Sequence, residues 1–207
     1  MPNCIERHLL KHLQEKCVVH GKIYSISEVK FLLDPEKGIY YPYLNRTRSL
    51  SKAMVKVCVT EANILENFEE TIGKVNRVTE MEKVIQEVLS GESGEGKWIG
   101  FTGGNCSIRR TAFLEAGGFD EKFGTRWGCE DFEFGYRLMQ LGYDFIYSDR
   151  ACNYHLMHYR LDFTKEHSLN VKYFYEKHNH ENIIHLQEFV ENKITVEQFV
   201  YFLTNYE

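Results

Sequence analysis

Two adjacent carboxylates, Glu130 and Asp131, stand at the predicted start of a helix, in the run W-G-C-E-D at 127–131. A carboxylate in the first turn of a helix that opens to a cleft can accept the proton of a hydroxyl group. Acidic residues are also favourable at this end of a helix because they complement the helix dipole. Spacing alone therefore leaves two interpretations open, a general base and a charge that only stabilises the helix.

A glycine pair and an amide, Gly103, Gly104 and Asn105, precede these carboxylates in the chain. Glycines let a backbone approach a ligand closely, and the Asn105 side chain offers both a hydrogen-bond donor and an acceptor. An ordinary turn would use the same residue types. The motif is thus a candidate binding loop whose chemistry depends on its neighbours.

Two histidines, His155 and His158, follow the carboxylates further along the chain. Residues three apart lie on one side of a helix, so in a helical segment the two rings could share a divalent metal that bridges a diphosphate. A structural or surface role is the alternative for a histidine pair in a chain with nine histidines.

Residues 101–138 resemble the second half of a GT-A-type glycosyltransferase. They are similar to family 2 glycosyltransferases and to the C-terminal region shared by galactosyltransferases and chondroitin-type polymerases. Three motifs carry the resemblance by their order and spacing: G-G-N at 103–105, G-G-F-D-E at 117–121 and W-G-C-E-D at 127–131. The resemblance weakens outside residues 97–160.

The resemblance implies an enzyme that transfers a sugar from a nucleotide-sugar donor, a uridine diphosphate sugar above all, to a hydroxyl of a carbohydrate or peptide acceptor. It assigns the general base to Asp131 and the binding of sugar hydroxyls to Glu130. Retaining relatives usually carry E-N instead of E-D, so Asp131 favours inversion. The other residues that the resemblance places at the substrate are Gly103, Gly104, Asn105, Trp127 and Gly128.

The resemblance also implies a divalent cation, Mn²⁺ or Mg²⁺, with His155 and His158 as its ligands. GT-A enzymes hold this metal and the donor with a D-x-D motif, and the present sequence contains no D-x-D. The chain is therefore a fragment of a longer protein, a subunit of a split enzyme whose partner chain supplies D-x-D, or an interaction or regulatory module that has lost donor binding. The first two predict an exposed apolar surface, which a homo-oligomer could also cover.

Helix and strand alternate in the elements that must position these residues. The patterns predict helices at 4–16, within 51–88, at 108–116 and from 130 to 142, strands at 18–26, 98–101 and 143–147, and a loop at 34–51. The end of the chain is predicted to be helical, with Ser168 and Thr195 as N-caps. The expected fold is α/β, a partial GT-A-like mixed sheet flanked by helices, with residues 1–163 as the catalytic half and 164–207 as a helical C-terminal appendage.

Composition narrows the class of protein further. The 207 residues suit one domain, and a net charge of −5 gives no general electrostatic reason to bind nucleic acid or an anionic membrane. No apolar stretch approaches a membrane-spanning length, and the N-terminus lacks the pattern of a signal peptide. The six cysteines are scattered without a C-x-x-C, which is typical of free thiols in a reducing cytoplasm.

Overall fold

A computed structural model describes residues 3–13, 16–26, 32–34, 39–40, 61–91, 94–156 and 163–205. The chain forms two compact units. The first comprises Met1–Ile23, Glu80–Asn153 and Asp162–Glu207, and the second comprises Tyr24–Thr79 and Tyr154–Leu161.

Helices account for most of the regular structure in the described residues. Two short 3₁₀ turns, Lys97–Gly100 and Glu121–Phe123, supplement the α-helices. The α-helices are α1 Cys4–Lys11, α2 Glu61–Glu66, α3 Phe68–Val75, α4 Glu80–Ser90, α5 Arg110–Glu115, α6 Glu130–Gln140, α7 Phe163–His178, α8 Asn182–Val190 and α9 Val196–Asn205.

In a four-stranded sheet, β1 pairs with β4, β5 and β6. Its pairs with β5 and β4 are antiparallel, with Val19 opposite Ser107 and Ser25 opposite Arg77. A separate antiparallel pair joins β2 to β3. The strands are β1 Cys17–Ile26, β2 Leu32–Asp34, β3 Ile39–Tyr40, β4 Asn76–Arg77, β5 Cys106–Ser107 and β6 Asp144–Leu156.

The core of the first unit centres on the contact between α6 and the turn Lys97–Gly100. Trp98 and Phe134 are fully buried there. Gly135 permits the close approach, because a Cβ atom at this position would lie 2.6 Å from the carbonyl oxygen of Trp98. The start of α6 is thereby held close to the residues that lead into Gly103.

The C-terminal helices α7, α8 and α9 contribute to this same core through Phe174, Leu186 and Leu203, all of which are buried. Thr195 caps α9 as predicted, since its backbone N–H donates to Gln198 and its hydroxyl accepts from the Gln198 N–H. Ser168 is not an N-cap, because it lies inside α7. The domain boundary at residue 163 stays a prediction.

Helix α1 has an unusual distribution of polar and apolar side chains. His8 is buried, whereas Ile5, Leu9 and Leu13 are 75%, 65% and 84% exposed. The apolar spacing correctly predicted a helix here. The side chains of α1 that face the rest of the first unit, however, are histidines. An exposed apolar surface of the kind expected from the sequence is therefore present on α1.

The second unit has a small core of its own. Ile26 and Ile72 are buried in it, and Phe68 and Tyr154 pack against them. The rings of Phe68 and Tyr154 meet edge to face with their centroids 5.4 Å apart.

The expected α/β fold with a mixed sheet and C-terminal helices is confirmed. Besides the Ser168 cap, two local predictions are wrong, and one predicted strand is longer than expected. Residues 98–101 form no strand; in the turn Lys97–Gly100 both Trp98 and Ile99 are buried, whereas adjacent strand residues face opposite sides. The strand predicted at 143–147 extends through Leu156. The loop predicted at 34–51 contains β3.

No helix in the described parts of the chain is long and apolar enough to cross a membrane. The five cysteines within those parts form no disulfide with one another.

Candidate functional site

Asp131 lies in the first turn of α6, where both oxygens of its carboxyl group accept backbone hydrogen bonds. Oδ2 accepts from the N–H of Gly103 at 3.0 Å, and Oδ1 accepts from the N–H of Phe132 at 2.8 Å. The G-G-N and W-G-C-E-D motifs therefore meet in space, with a backbone donor of the first holding the carboxylate of the second.

The environment of Asp131 favours its neutral form. Burial raises the pKa of its carboxyl group from 3.8 to about 6, and the negative charge of Glu130 acts in the same direction. The hydrogen bonds from Gly103 and Phe132 oppose this rise without cancelling it. A carboxyl group that titrates near neutral pH is suited to proton transfer, because it can both accept and release a proton under those conditions.

Glu130 places a second carboxylate beside Asp131. Its Oε2 atom is buried and accepts no hydrogen bond from any described residue. A buried carboxylate oxygen without a partner costs free energy, so this atom has capacity to accept a hydrogen bond from a bound molecule or water. The same holds for Asn153, whose Nδ2 donates to the carbonyl oxygen of Gly104 while its buried Oδ1 accepts from no described residue.

Helix α7 holds the loop that leads into the carboxylates. The Nδ2 atom of Asn170, a fully buried residue, donates to the carbonyl oxygens of Arg126, Trp127 and Gly128 at 3.3, 3.3 and 2.7 Å. Its Oδ1 accepts from Nε of Arg126 at 3.0 Å. The two N–H bonds of one side-chain amide of α7 are thus shared among the three successive carbonyl groups at 126–128.

The backbone of this loop passes through left-handed conformations. Gly128 has φ 93° and Cys129 has φ 73°, a region that residues other than glycine rarely adopt. A Cβ atom at position 128 would also lie 3.0 Å from Cδ2 of His167. Gly128 is therefore required by the shape of the turn and by the packing of α7 against it.

Trp127 is half-buried in this loop. Its backbone N–H donates to Oε2 of Glu166 at 3.2 Å, and its ring lies 5.5 Å from the ring of His167 at an angle of 34°. The α7 residues therefore fix the main chain and one side of the indole.

The side-chain amide of Asn105 is used within the protein. Its Nδ2 donates to the carbonyl oxygens of Ala151 and Lys22 at 2.7 and 3.2 Å, and its Oδ1 lies 2.9 Å from Nε2 of His8. Asn105 thus connects β6, β1 and α1, and it fixes the end of the glycine loop.

The G-G-F-D-E motif contacts the outer side of α6. Arg137 donates to the carbonyl oxygen of Gly118 at 2.7 Å and to that of Ala116. Asp120 accepts from Nζ of Lys177 at 2.6 Å and from the hydroxyl of Tyr173 at 2.8 Å. This motif is therefore tied to α6 and α7 by charged side chains.

A fully buried carboxylate, Glu133, lies at the centre of these contacts. It accepts from Arg137 at 2.9 Å and from Lys177 and His178 at 2.8 Å each. Burial alone would raise the pKa of Glu133, but the hydrogen bonds from His178, Arg137 and Lys177 outweigh it and lower the pKa from 4.5 to about 2. Glu133 remains ionised at neutral pH and holds α6 to α7.

Two shallow cavities of about 310 and 340 Å³ lie beside Arg137. The first is lined by Asp120 and Lys177 and the second by His178, and neither is lined by Asp131. The charged groups that line these two cavities already pair with one another. The candidate site is therefore placed at Asp131 and the groups that donate to it.

The histidine pair is only partly described. His155 is an exposed residue of β6, so the premise that its segment is helical is wrong: residues 151–156 form a strand because they extend the pairing with β1. His158 lies outside the described residues. The described residues contain no group of three or more His, Cys, Asp or Glu side chains that could hold a metal ion.

Sequence patterns missed the α7 residues Glu166, His167 and Asn170. Polar residues at helical spacing read as a solvated face, and nothing in the sequence distinguishes the buried Asn170 from the exposed Asn192. The only sequence feature that links these residues is their spacing of about one helical turn on α7. That spacing indicates a shared role only once the structure shows that this side of α7 packs against the loop at 126–128.

Comparison with known proteins supports the motif analysis. A family model described as the N-terminal domain of galactosyltransferase matches residues 93–174, which contain the three motifs and the α7 residues that hold the loop. A chondroitin synthase from Escherichia coli is 47% identical over 55 residues, which amount to 27% of this chain and 8% of the synthase. The chain therefore spans only a small part of that relative. Residues 93–174 are a glycosyltransferase-like region.

Proposed function

We propose that this glycosyltransferase-like region transfers a sugar from a nucleotide-sugar donor to an acceptor hydroxyl, with Asp131 as the general base. The observation that carries the proposal is the Asp131 carboxyl group itself, held by the Gly103 N–H and titrating near neutral pH because of its burial. This environment suits a group that must take a proton from a hydroxyl at physiological pH.

In the proposed reaction Asp131 accepts the proton of the acceptor hydroxyl while the hydroxyl oxygen attacks the anomeric carbon of the donor. The new carbon–oxygen bond forms as the bond to the nucleoside diphosphate breaks, and the diphosphate leaves with the electron pair. A single displacement inverts the anomeric centre. The E-D sequence at Glu130 and Asp131 supports this stereochemistry through the resemblance given above.

We assign contacts with the sugar and acceptor to Glu130, Trp127 and Gly103. The buried Oε2 of Glu130 has capacity to accept a hydrogen bond from a hydroxyl group. The half-buried Trp127 can offer an aromatic face to the apolar side of a pyranose ring. For Gly104, Asn105 and Gly128 the contacts support a positioning role in the two loops rather than contact with the substrate.

Gly103→Ala is expected to raise the KM for the acceptor roughly tenfold, about 1.4 kcal/mol, while the protein still folds. A Cβ atom at this exposed position would contact only Oδ2 of Asp131, at 3.9 Å, so no protein atom has to move. The added methyl group would occupy space beside the base that we assign to the acceptor. Steady-state kinetics with varied acceptor concentration would measure the effect.

Gly73→Ala is the matched control for that substitution. Gly73 lies in α3 of the second unit, and a Cβ atom there would meet nothing within 4 Å. Unaltered acceptor KM in both variants would show that the space beside Gly103 is not the acceptor site.

The described residues alone do not supply three or more His, Cys, Asp or Glu side chains around a possible metal ion. We propose that His155 and His158 take part in binding Mn²⁺ or Mg²⁺ only together with ligands from a partner chain, a D-x-D half or a second copy. A cation so held would neutralise the charge of the diphosphate.

Calorimetric titration with uridine diphosphate tests donor binding by the full chain. Binding is expected to depend on manganese and to weaken at least tenfold in His155→Ala and in His158→Ala, since each removes a nitrogen ligand. His180→Ala is the control, because His180 pairs with Glu95 instead. Measurable manganese-dependent binding with the same affinity in all three variants would exclude the pair as ligands.

A non-catalytic interaction module is the second candidate, and the exposed apolar side chains of α1 favour it. Ile5, Leu9 and Leu13 leave a surface of the kind that mediates association. Sugar transfer by the purified chain, lost in Asp131→Asn, would decide in favour of the enzyme.

A further inference from the structure

A buried histidine–carboxylate pair lies next to the glycine loop and has no part in the proposed chemistry. His20 of β1 is fully buried, and its Nε2 lies 3.1 Å from Oε2 of Glu82, which is 2% exposed in α4. The hydroxyl of Tyr147 donates to Oε1 of Glu82 at 3.0 Å. A buried ionisable pair costs free energy to desolvate. The other contacts of His20 and Glu82 therefore indicate what the pair does.

The other ring nitrogen of His20 contacts the segment that ends at Gly103. Nδ1 lies 2.9 Å from the carbonyl oxygen of Gly100. Because a carbonyl oxygen only accepts, Nδ1 carries the proton in this contact, and Nε2 shares a proton with the Glu82 carboxyl group. The hydroxyl of Thr102 also lies 3.5 Å from Nδ1. His20 therefore fixes the backbone three residues before the donor to Asp131.

The glycine loop is held at its other end by Asn105, through β1 and β6. Between these two ends, Gly103 and Gly104 are exposed, and the carbonyl oxygen of Gly104 accepts from Nδ2 of Asn153. The direction of the Gly103 N–H consequently depends on contacts on both sides of it, with Asn153 and Asn105 after it and His20 before it.

We propose that His20 is a positioning residue for Asp131, acting through residues 100–103, and that Glu82 orients its imidazole ring. The proposal rests on the role of Asp131 given above. The pair holds the Gly103 N–H against Oδ2 of Asp131, and the base is thereby kept in one orientation at the start of α6.

The titratable neighbours of Asp131 are unchanged in the variants that test this role. Glu130 lies beside it on α6, and the thiols of Cys129 and Cys106 interact with its charge. Burial raises the pKa of Cys106 to about 12 and that of Cys129 well above 9, so both thiols stay neutral wherever Asp131 titrates.

Two substitutions at position 20 separate the two ring contacts. His20→Asn places an amide nitrogen near the position of Nδ1, which keeps the donor to Gly100 and removes the contact with Glu82. His20→Gln places its amide near the position of Nε2, which keeps the contact with Glu82 and removes the donor to Gly100. The readouts are the Asp131 carboxyl ¹³C shift and the Gly103 amide resonance, each followed by NMR from pH 4 to 8.

In the unmodified chain the Gly103 amide is expected to titrate together with Asp131, with a midpoint of about 6. In His20→Gln the loss of the Gly103 hydrogen bond should raise the Asp131 midpoint by roughly one pH unit and reduce the response of the Gly103 amide. In His20→Asn both readouts should stay close to those of the unmodified chain.

A midpoint that is the same in both variants would overturn the proposal, because a merely structural pair would change stability and leave the titration in place. If His20→Gln does not fold, Glu82→Leu replaces it, since an apolar side chain fills the space but offers Nε2 of His20 no hydrogen bond to orient the ring. An unchanged titration in that variant would overturn the proposal equally. No sugar is present in these measurements, so a failure of the proposed transferase activity would be seen separately, in the transfer assay.

Discussion

Asp131→Asn is expected to abolish sugar transfer and, at the same time, to raise the free energy of unfolding at pH 7 by about 1 to 3 kcal/mol. Transfer is lost because an amide cannot accept the hydroxyl proton. Stability rises because the folded chain holds the carboxylate in surroundings that favour its neutral form, and the amide has no charge to desolvate. The gain stays below its full value, because the amide keeps one acceptor oxygen and the N–H of Gly103 or Phe132 loses its acceptor. A rise of the pKa from 3.8 to about 6 corresponds to roughly 3 kcal/mol, which is the upper limit for the gain in the free energy of unfolding.

The direction of the Asp131 pKa shift determines how the difference in stability changes with pH. Because the folded pKa of Asp131 lies above the unfolded one, the group favours folding at low pH, and that contribution is lost as the pH rises from about 4 through about 6. The two proteins should thus have similar stability near pH 3.5 and should diverge towards pH 7. Urea denaturation at both pH values would measure the difference.

Asp149→Asn is the matched control, since Asp149 is exposed on β6. It should change neither turnover nor stability. Near-normal turnover in Asp131→Asn would remove the general-base assignment. A difference in stability that does not grow between pH 3.5 and pH 7 would show that the carboxylate is well solvated or paired in the folded chain.

The second large effect is expected at Glu133. Glu133→Gln should lower the free energy of unfolding by about 3 kcal/mol at pH 7, because Arg137, Lys177 and His178 would lose their shared carboxylate in the interior. The pKa of Glu133 lies below its ordinary value, so its contribution is complete above about pH 5 and is lost as the pH falls through about 2. The variant and the unmodified chain should therefore converge in stability in acid.

Glu176→Gln is the control for charge removal on α7. Glu176 pairs with Lys172 at 3.6 Å on an exposed surface, where an ion pair contributes less than about 1 kcal/mol. Urea denaturation of both variants at pH 7 and pH 2.5 would compare them. A cost at Glu133 no larger than that at Glu176 would show that the buried network is not stabilising.

The sequence was sufficient where local chemistry determines the structure. Glu130 begins α6 as predicted, because acidic residues follow a glycine turn there, and Thr195 caps α9 through a contact three residues away. The resemblance implied that Gly103 and Asp131 belong to one substrate site. The hydrogen bond between them shows that the two residues are neighbours, and their shared role stays a prediction.

Prediction failed where distant contacts decide. Trp98 and Ile99 resemble strand residues, yet packing against Gly135 of α6 places them in a 3₁₀ turn. His155 lies in a strand because β6 continues along β1, which no local pattern indicates. His20 and Glu82 are 62 residues apart in the chain, so their pairing could not be read from spacing.

The three hydrogen bonds from Asn170 to the loop at 126–128 also bear on how this protein can be shortened or varied. Removing the chain from Ser168 onward would not detach an independent segment, because it would take away the group that shapes the turn before Glu130. Under the proposed function, a genetic screen for inactive alleles should recover changes at position 170, although the hydrogen bonds of its side chain to described residues go to main-chain atoms and one arginine. In this fold, a residue that lies far from the motifs in the sequence can still be needed for the shape of a motif loop.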